Sequence, residues 1–197
     1  MLDNLKNYKI ILASNSPRRK ELMSGLGINY KVKTLPDVDE SYPDMLQGED
    51  IPLYIAKEKA NAYLSLLQPD ELIITADTIV WLDGKVLGKP IDEAEAIEML
   101  KTLSGRTHEV ITGVCLTTTH FQRSFTTTTE VTFGTLSEEE IGYYVQNYKP
   151  LDKAGAYGIQ EWIGFIAVKN ISGSYFNVMG LPIQRLYEEL NKMSLIK

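Results

Sequence analysis

A short apolar strand that leads at once into a capped helix is the feature that most constrains the fold of this chain. Continuous apolar residues predict a buried strand at 9–13. After a tight turn, Ser16 is a good N-cap and Pro17 a good first helical residue, which predicts a helix that ends before Gly27. A strand, a turn and a helix in this order indicate a mixed α/β architecture.

The rest of the chain also mixes predicted helices and strands. Amphipathic or capped segments predict helices at 51–67, 92–103, 137–146 and 181–192. Alternating or β-branched segments predict strands at 30–34, 72–81, 85–87, 109–119 and 121–133. The stretch 151–180, rich in glycine and aromatic residues, is predicted to form loops around one strand at 165–169. We therefore expect one α/β domain over residues 1–197, with a mixed, twisted central sheet flanked by helices.

The net charge limits the kinds of partner. The chain has 20 Lys and Arg against 26 Asp and Glu, a formal net charge of −6. A general nucleic-acid binder usually has a basic excess or a basic face, so this role is disfavoured. Any bound anion must be held where the few cations cluster.

The cysteine count and the apolar runs indicate a compartment. Cys115 is the single cysteine, which excludes a disulfide within the chain. The first ten residues show no signal-peptide pattern, and no apolar run approaches the ~20 residues that a membrane helix needs. We expect a cytoplasmic protein without a membrane partner.

Two arginines in the first turn of the helix that begins at Pro17 indicate a bound anion. Backbone N–H groups and the helix dipole favour negative charge at this end. Arg18 and Arg19 are therefore unfavourable there unless an anion neutralises them, and guanidinium groups suit phosphate oxygens. A solvated pair on an ordinary helix remains open for this segment alone. The phosphate-loop motif GxxxxGK[ST] does not occur in the chain.

Asp77 interrupts the apolar run of the predicted strand 72–81. Burying an unpaired carboxylate is very costly. We expect Asp77 at a strand end that faces a cleft, with a cation or a metal beside it. A carboxylate hydrogen-bonded to a turn is the structural alternative.

Three further charged residues carry weaker signals. Lys59 borders the apolar stripe of the predicted helix 51–67, where a lysine that only extends its ammonium group to solvent explains the pattern as well. Lys89 lies in a loop between Gly88 and Pro90, which an ordinary surface turn also explains. Glu40 lies in an acidic loop, where it serves a metal or is simply solvated.

Together these segments closely resemble the Maf family of nucleoside triphosphate pyrophosphatases. The matching stretches follow the family's order and cover nearly the whole chain: ILASNSPRRKEL, DVDE, AKEKA, TADTIV, VLGKP, LSGRTHEVITGV, DKAGAYGIQ and ISGSYFNVMGLP. SPRR, ADT and GAYGIQ are specific in combination. The residues by themselves indicate only a phosphate-binding α/β domain.

The resemblance implies hydrolysis between the α and β phosphates, with a divalent cation, Mg²⁺ or Mn²⁺, as cofactor. It implies a fold related to inosine triphosphate pyrophosphatases, with the site in a cleft between two lobes. Asp77 would activate water or hold the metal, and Glu40 would be a second acidic helper. Four residues would bind the phosphates: Ser14, Arg18, Lys59 and Lys89.

Within the family, one branch resembles dTTP/UTP pyrophosphatases and a sister branch prefers 7-methyl-GTP. Arg19, Thr78 and Gln160 match the pyrimidine branch. Arg19 would donate to a base carbonyl, while Gln160 would accept from N3–H and donate to O4. The resemblance thus implies dTTP, UTP and related pyrimidine nucleotides as substrates, in housecleaning of the nucleotide pool. A shift of one residue would place Glu161 at the base instead and favour 7-methyl-GTP.

Two other classes of function remain open. One is a hydrolase that releases a single phosphate at a time, and the other is a non-enzymatic nucleotide sensor that regulates cell division. A sensor needs the cations but no activating carboxylate, so Asp77 and Glu40 favour an enzyme. We expect His108 to be structural and Cys115 to be buried in an apolar strand. The resemblance also suggests a homodimer.

Overall fold

The computed structural model of the protein describes residues 2–36 and 38–193. The helices are α1 (Pro17–Gly25), α2 (Asp50–Asn61), α3 (Glu93–Leu103), α4 (Glu138–Tyr148), α5 (Trp162–Ala167), α6 (Tyr175–Val178) and α7 (Ile183–Asn191). The strands are β1 (Lys9–Leu12), β2 (Tyr30–Val32), β3 (Glu71–Leu82), β4 (Lys85–Leu87), β5 (Thr107–Thr117), β6 (Gln122–Phe133) and β7 (Val168–Ser172). No helix in these described ranges is both long enough and apolar enough to cross a membrane.

The strands form a mixed sheet in the order β2-β1-β3-β5-β6-β7, and β4 also pairs with β3. β1 runs parallel to β2 and to β3, with Leu12 opposite Ile74. β4 and β7 are antiparallel to their partners β3 and β6. Asp83 and Gly84 form the turn between β3 and β4 and both have positive φ, as a two-residue hairpin requires. The predicted mixed α/β class is confirmed.

The chain divides into two compact units. The first comprises Met1–Asp77, Thr112–Thr127 and Gly180–Lys197, and the second comprises Thr78–Ile111 and Thr128–Met179. β3, β5 and β6 each contribute residues to both units. The single domain expected over residues 1–197 stays a prediction, as does the cleft between two lobes.

The core of the first unit lies around β1 and β3. Ile11 and Ile73 pack with Tyr63, which follows α2, and all three are buried. The Tyr63 hydroxyl donates to the Lys33 carbonyl (3.0 Å) and accepts the Leu35 N–H (2.9 Å), which ties down the segment after β2. Cys115 is fully buried against α2, and burial raises the pKa of its thiol. The expected burial of Cys115 is confirmed.

Gly113 in β5 allows α2 to lie unusually close to the sheet. A Cβ at this position would lie 2.3 Å from the Pro52 carbonyl oxygen. The obstacle is helix backbone, which cannot rotate away as a side chain can. A glycine is therefore required here for the packing of α2.

Gly113→Ala is expected to lower the free energy of unfolding by about 2–3 kcal/mol, because the methyl group forces α2 away from the sheet. Thermal unfolding measures the effect. Gly142→Ala on α4 is the matched control, since a Cβ there meets nothing within 4 Å and alanine favours the helix. Equal melting temperatures for the Gly113 variant and the wild type would contradict the close packing.

A buried aromatic cluster lies in the second unit. The ring of His108 meets Phe133 and Tyr157 edge to face, with ring centroids 5.0 and 5.4 Å away. His108 Nε2 lies 2.7 Å from the Tyr157 hydroxyl, in hydrogen-bond contact. Burial lowers the pKa of His108 to about 4, so the ring is neutral at physiological pH. These contacts support a structural role for His108.

Two local predictions were wrong. Residues 165–169 were expected in a strand, whereas α5 occupies Trp162–Ala167 and β7 begins at Val168. Ile163 and Ala167 are buried while Phe165 is 80% exposed, which is the spacing of a helix face. α2 also ends earlier than expected, at Asn61, and a separate 3₁₀ turn spans Leu64–Leu66.

Candidate functional site

The turn between β1 and α1 is held by two serines. Ser14 is buried, and its Oγ accepts the Ser16 N–H at 3.2 Å. The Ser16 Oγ in turn accepts the Arg19 N–H at 3.4 Å, so the predicted N-cap is confirmed. Because β1 ends beside Ile74 of β3, this turn lies close to the part of β3 that carries Asp77.

Lys59 on α2 binds two carboxylates in the first unit. Its ammonium nitrogen lies 2.8 Å from Asp77 Oδ1 and 2.8 Å from Glu40 Oε1. The side chains of Lys59 and Asp77 are each only 14% exposed, whereas that of Glu40 is 50% exposed. One ammonium group therefore bridges the two carboxylates. We call the side chains of Lys59, Asp77 and Glu40 the carboxylate–lysine cluster.

Asp77 does not lie at a strand end, as the sequence predicted, but inside β3. The mid-strand position is tolerated because Lys59 compensates the charge directly. The expected neighbouring cation is thus confirmed. Thr75 helps to position Lys59. Its hydroxyl donates to the carbonyl of Ala56 (2.7 Å), which lies one helical turn before Lys59.

Arg19 is braced on backbone carbonyls. Its Nε donates to the Gly180 carbonyl (2.7 Å) and its Nη1 to the Ala76 carbonyl (2.9 Å). Desolvation lowers the pKa of its guanidinium, and the attraction of Asp77 opposes this effect. Arg18 and Glu40 also act electrostatically on Arg19. Arg19 therefore supports the residue before Asp77, and its predicted contact with a base stays a prediction.

The remaining predicted site residues, Thr78, Lys89 and Gln160, belong to the second unit. Lys89 is exposed and follows β4, where the Gly155 N–H donates to the Gly88 carbonyl at 3.0 Å. The Oε1 atom of Gln160 is buried and has no hydrogen-bond partner among residues 2–36 and 38–193. A buried acceptor without a partner is costly, and the predicted contact of Gln160 with a base stays a prediction.

Glu161, which the sequence left as the alternative base reader, is paired with two side chains of the second unit. Its carboxylate accepts a hydrogen bond from the Tyr144 hydroxyl and lies 3.2 Å from the Lys153 ammonium. Sequence reasoning did not single out Lys153 or Tyr144. The available signal was a lysine and a glutamate eight positions apart in a glycine-rich apolar segment, where charges need partners.

The sequence predicted Asp77 and Glu40, both in the first unit, as metal ligands. Asp37 of the acidic stretch DVDE lies outside the described residues. Within the described ranges, no group of three or more His, Cys, Asp or Glu side chains is arranged to hold a metal ion. Asp77 and Glu40 nevertheless offer two oxygens close to one Lys59 nitrogen. Mg²⁺ is commonly held by one or two carboxylates and completed by water and substrate phosphates, so the donor chemistry of this pair suits such an ion.

Comparison with known proteins identifies the family of this chain. A family model described as Maf-like protein matches residues 9–193. A protein of Phocaeicola vulgatus named dTTP/UTP pyrophosphatase is 72% identical over 193 residues, covering 98% of this chain and 100% of the relative. A protein of Flavobacterium johnsoniae with the same name is 49% identical over 191 residues, covering 97% and 98%.

The fold has a counterpart among solved structures. A HAM1 protein from Coxiella burnetii has a TM-score of 0.52 and 16% sequence identity, over 94% of this chain and 100% of that one. At this identity the similarity concerns the fold alone. The family model and the relatives together cover nearly the whole chain, as the motif resemblance predicted. The chain belongs to the Maf family.

Proposed function

We propose that this protein hydrolyses nucleoside triphosphates, namely dTTP, UTP and related pyrimidine nucleotides, between the α and β phosphates. The products are a nucleoside monophosphate and pyrophosphate. The observation that carries the proposal is the carboxylate–lysine cluster of Lys59, Asp77 and Glu40. It lies in a chain whose relatives are named dTTP/UTP pyrophosphatases.

The cations of the chain bind the triphosphate. A triphosphate is strongly anionic, and its reaction is accelerated by positive charge fixed in place. The N-terminus of α1 contributes backbone N–H groups and a favourable dipole. Four side chains complete the phosphate contacts: Ser14, Arg18, Lys59 and Lys89.

The two carboxylates carry the chemistry. Asp77 accepts a proton from the attacking water, and Glu40 assists it. Water adds to the α-phosphorus, the bond to the bridging oxygen breaks, and pyrophosphate leaves with the electron pair. A divalent cation held by Asp77 and Glu40 would neutralise phosphate charge and make bound water more acidic.

The base is read by Gln160, with Arg19 and Thr78 completing the specificity set. The amide of Gln160 carries one acceptor group and one donor group, which match the N3–H and O4 of uracil or thymine, and its Oε1 has no partner among the described residues. A guanine edge presents two adjacent donors, which a carboxylate matches better. The carboxylate of Glu161 is occupied by Tyr144 and Lys153 instead. This arrangement supports a pyrimidine rather than 7-methyl-GTP.

The proposed cellular setting comes from the family resemblance and from the sequence. We propose that the protein acts in the cytoplasm, as a homodimer, and removes nucleotides from the pool before polymerases use them. The net charge of −6 supports a nucleotide rather than a nucleic acid as the partner.

We expect turnover of dTTP and UTP to exceed that of 7-methyl-GTP by about 100-fold in kcat/KM, since a site built to pair with one base edge rejects another. A panel of nucleoside triphosphates with Mg²⁺, separated by chromatography, measures both rate and products. A preference for 7-methyl-GTP would overturn the base assignment. Nucleoside diphosphate and inorganic phosphate as products would overturn the cleavage site.

A further inference from the structure

A partly buried ionic network includes Glu161, the residue after Gln160. The Glu161 carboxylate lies 3.2 Å from the Lys153 ammonium and accepts the Tyr144 hydroxyl. Lys153 lies 2.7 Å from Asp152 as well, and its side chain is only 9% exposed. Tyr144 on α4 is fully buried. A charged pair that is largely withdrawn from water needs several partners to offset its desolvation, and here each member has two.

The same network closes the turn that carries Gln160. The Tyr144 hydroxyl accepts the Gly158 N–H at 3.0 Å. The Glu161 N–H donates to the Gly158 carbonyl, and the Gly164 N–H donates to the Glu161 carbonyl, each at 2.9 Å. Gln160 is thus enclosed between backbone groups that are hydrogen-bonded on both sides.

Close packing leaves this turn little freedom. A Cβ on Gly158 would lie 2.8 Å from the Glu161 carboxyl carbon, and a Cβ on Gly164 would lie 1.8 Å from the Ile159 carbonyl oxygen. Desolvation and the hydrogen bond to Glu161 both raise the pKa of Tyr144, so its hydroxyl stays protonated and continues to donate.

We propose that Glu161 is a positioning residue which, through Tyr144 and Lys153, holds Gln160 in the orientation that reads a pyrimidine base. This inference rests on the proposed function, and it assigns Glu161 to specificity without contact with the substrate. It explains why a carboxylate next to the base reader does not turn the site toward guanine. The carboxylate of Glu161 is paired with Lys153 and Tyr144. The amide of Gln160 then binds the base.

The expected kinetic signature is a loss of base recognition rather than of chemistry. In Glu161→Gln, the amide nitrogen meets the Lys153 ammonium or the Tyr144 hydroxyl unfavourably, and the turn loosens. We expect KM for UTP to rise about ten-fold with kcat within about three-fold of wild type, which indicates weaker binding of the substrate. The preference for UTP over 7-methyl-GTP falls by a similar factor. Tyr144→Phe removes one hydroxyl, and we expect it to shift both quantities in the same direction.

The experiment compares Glu161→Gln and Tyr144→Phe with Glu139→Gln, a matched exposed glutamate on α4. All variants are first checked by thermal unfolding, and Tyr144→Phe serves if Glu161→Gln does not fold. The same substitutions are then made in a Gln160→Ala background. Because Glu161 acts through Gln160, its effect on base preference should vanish there, whereas independent effects would add.

Each outcome bears on a different claim. Effects of Glu161→Gln no larger than those of Glu139→Gln would overturn the inference, and so would an undiminished effect in the Gln160→Ala background. A wild-type protein that does not convert UTP to UMP and pyrophosphate would contradict the proposed function itself. Normal wild-type turnover with an unchanged Glu161 variant would leave that function intact and remove only the positioning role.

Discussion

Asp77→Asn is expected to lower kcat for UTP hydrolysis about a thousand-fold, or ~4 kcal/mol in the activation free energy, while the protein stays folded. Asparagine has nearly the same shape and keeps an oxygen that can accept from Lys59. It loses the negative charge, and with it the capacity to take a proton from water or to hold a divalent cation. The substitution therefore separates the chemical role of the carboxylate from its place in the packing.

Stability should change much less than activity in this variant. Lys59 keeps its contact with Glu40 at 2.8 Å, so its charge retains a partner. We expect a loss of about 1–2 kcal/mol in the free energy of unfolding, in line with a hydrogen bond between charged groups. Steady-state kinetics with UTP and thermal unfolding of the same preparation measure the two effects.

Asp70→Asn is the matched control. Asp70 also pairs with a lysine, Lys9, at 2.7 Å, but both side chains are largely exposed. This substitution should leave kcat within about two-fold of wild type, because an exposed ion pair contributes little. Near-wild-type turnover by Asp77→Asn would remove Asp77 from the mechanism.

The sequence predicted best those parts of the structure that depend on local chemistry. The unit of β1, turn and α1 follows from an apolar run, a serine cap and a proline, and all of these act within a few residues. The hairpin at Asp83 and Gly84 is equally local. By contrast, WIGFIAV is apolar without a clear period, so a strand and a buried helix could not be distinguished there.

The sequence predicted which residues belong to the candidate site, but not which of them contact each other. A carboxylate within an apolar strand requires a cation, and the sequence indicated as much for Asp77. It could not indicate that the cation is Lys59, 18 positions away on a helix, because only the packing of α2 against β3 decides this. For the same reason the sequence did not predict that a strand interior would tolerate Asp77.

The distinction between Gln160 and Glu161 was also out of reach of the sequence. Which of two adjacent polar residues finds partners in the protein depends on contacts that are remote in sequence. Glu161 is paired with Lys153 and Tyr144. Lys153 lies before the motif GAYGIQ, and Tyr144 lies on α4. The motif alone therefore left open whether Gln160 or Glu161 reads the base.

Lys59→Met is expected to lower kcat/KM for UTP about 300-fold, or ~3.4 kcal/mol. The ammonium group lies 2.8 Å from both Asp77 and Glu40, so its removal takes away the cation that bridges the two carboxylates. It also removes a positive charge that we assign to the phosphates. Both losses act on the bound triphosphate, so we expect KM to rise and kcat to fall together.

Two further variants on α2 make the Lys59 result specific. Lys57→Met changes a lysine two positions away on the same helix and should keep kcat/KM within about three-fold of wild type, because its ammonium group is not part of the carboxylate–lysine cluster. Lys59→Arg keeps the charge but replaces a compact ammonium with a planar guanidinium. It should recover part of the activity if charge is what the phosphates require. Wild-type kinetics in Lys59→Met would show that the pairing of Lys59 with Asp77 and Glu40 has no part in catalysis or in substrate binding.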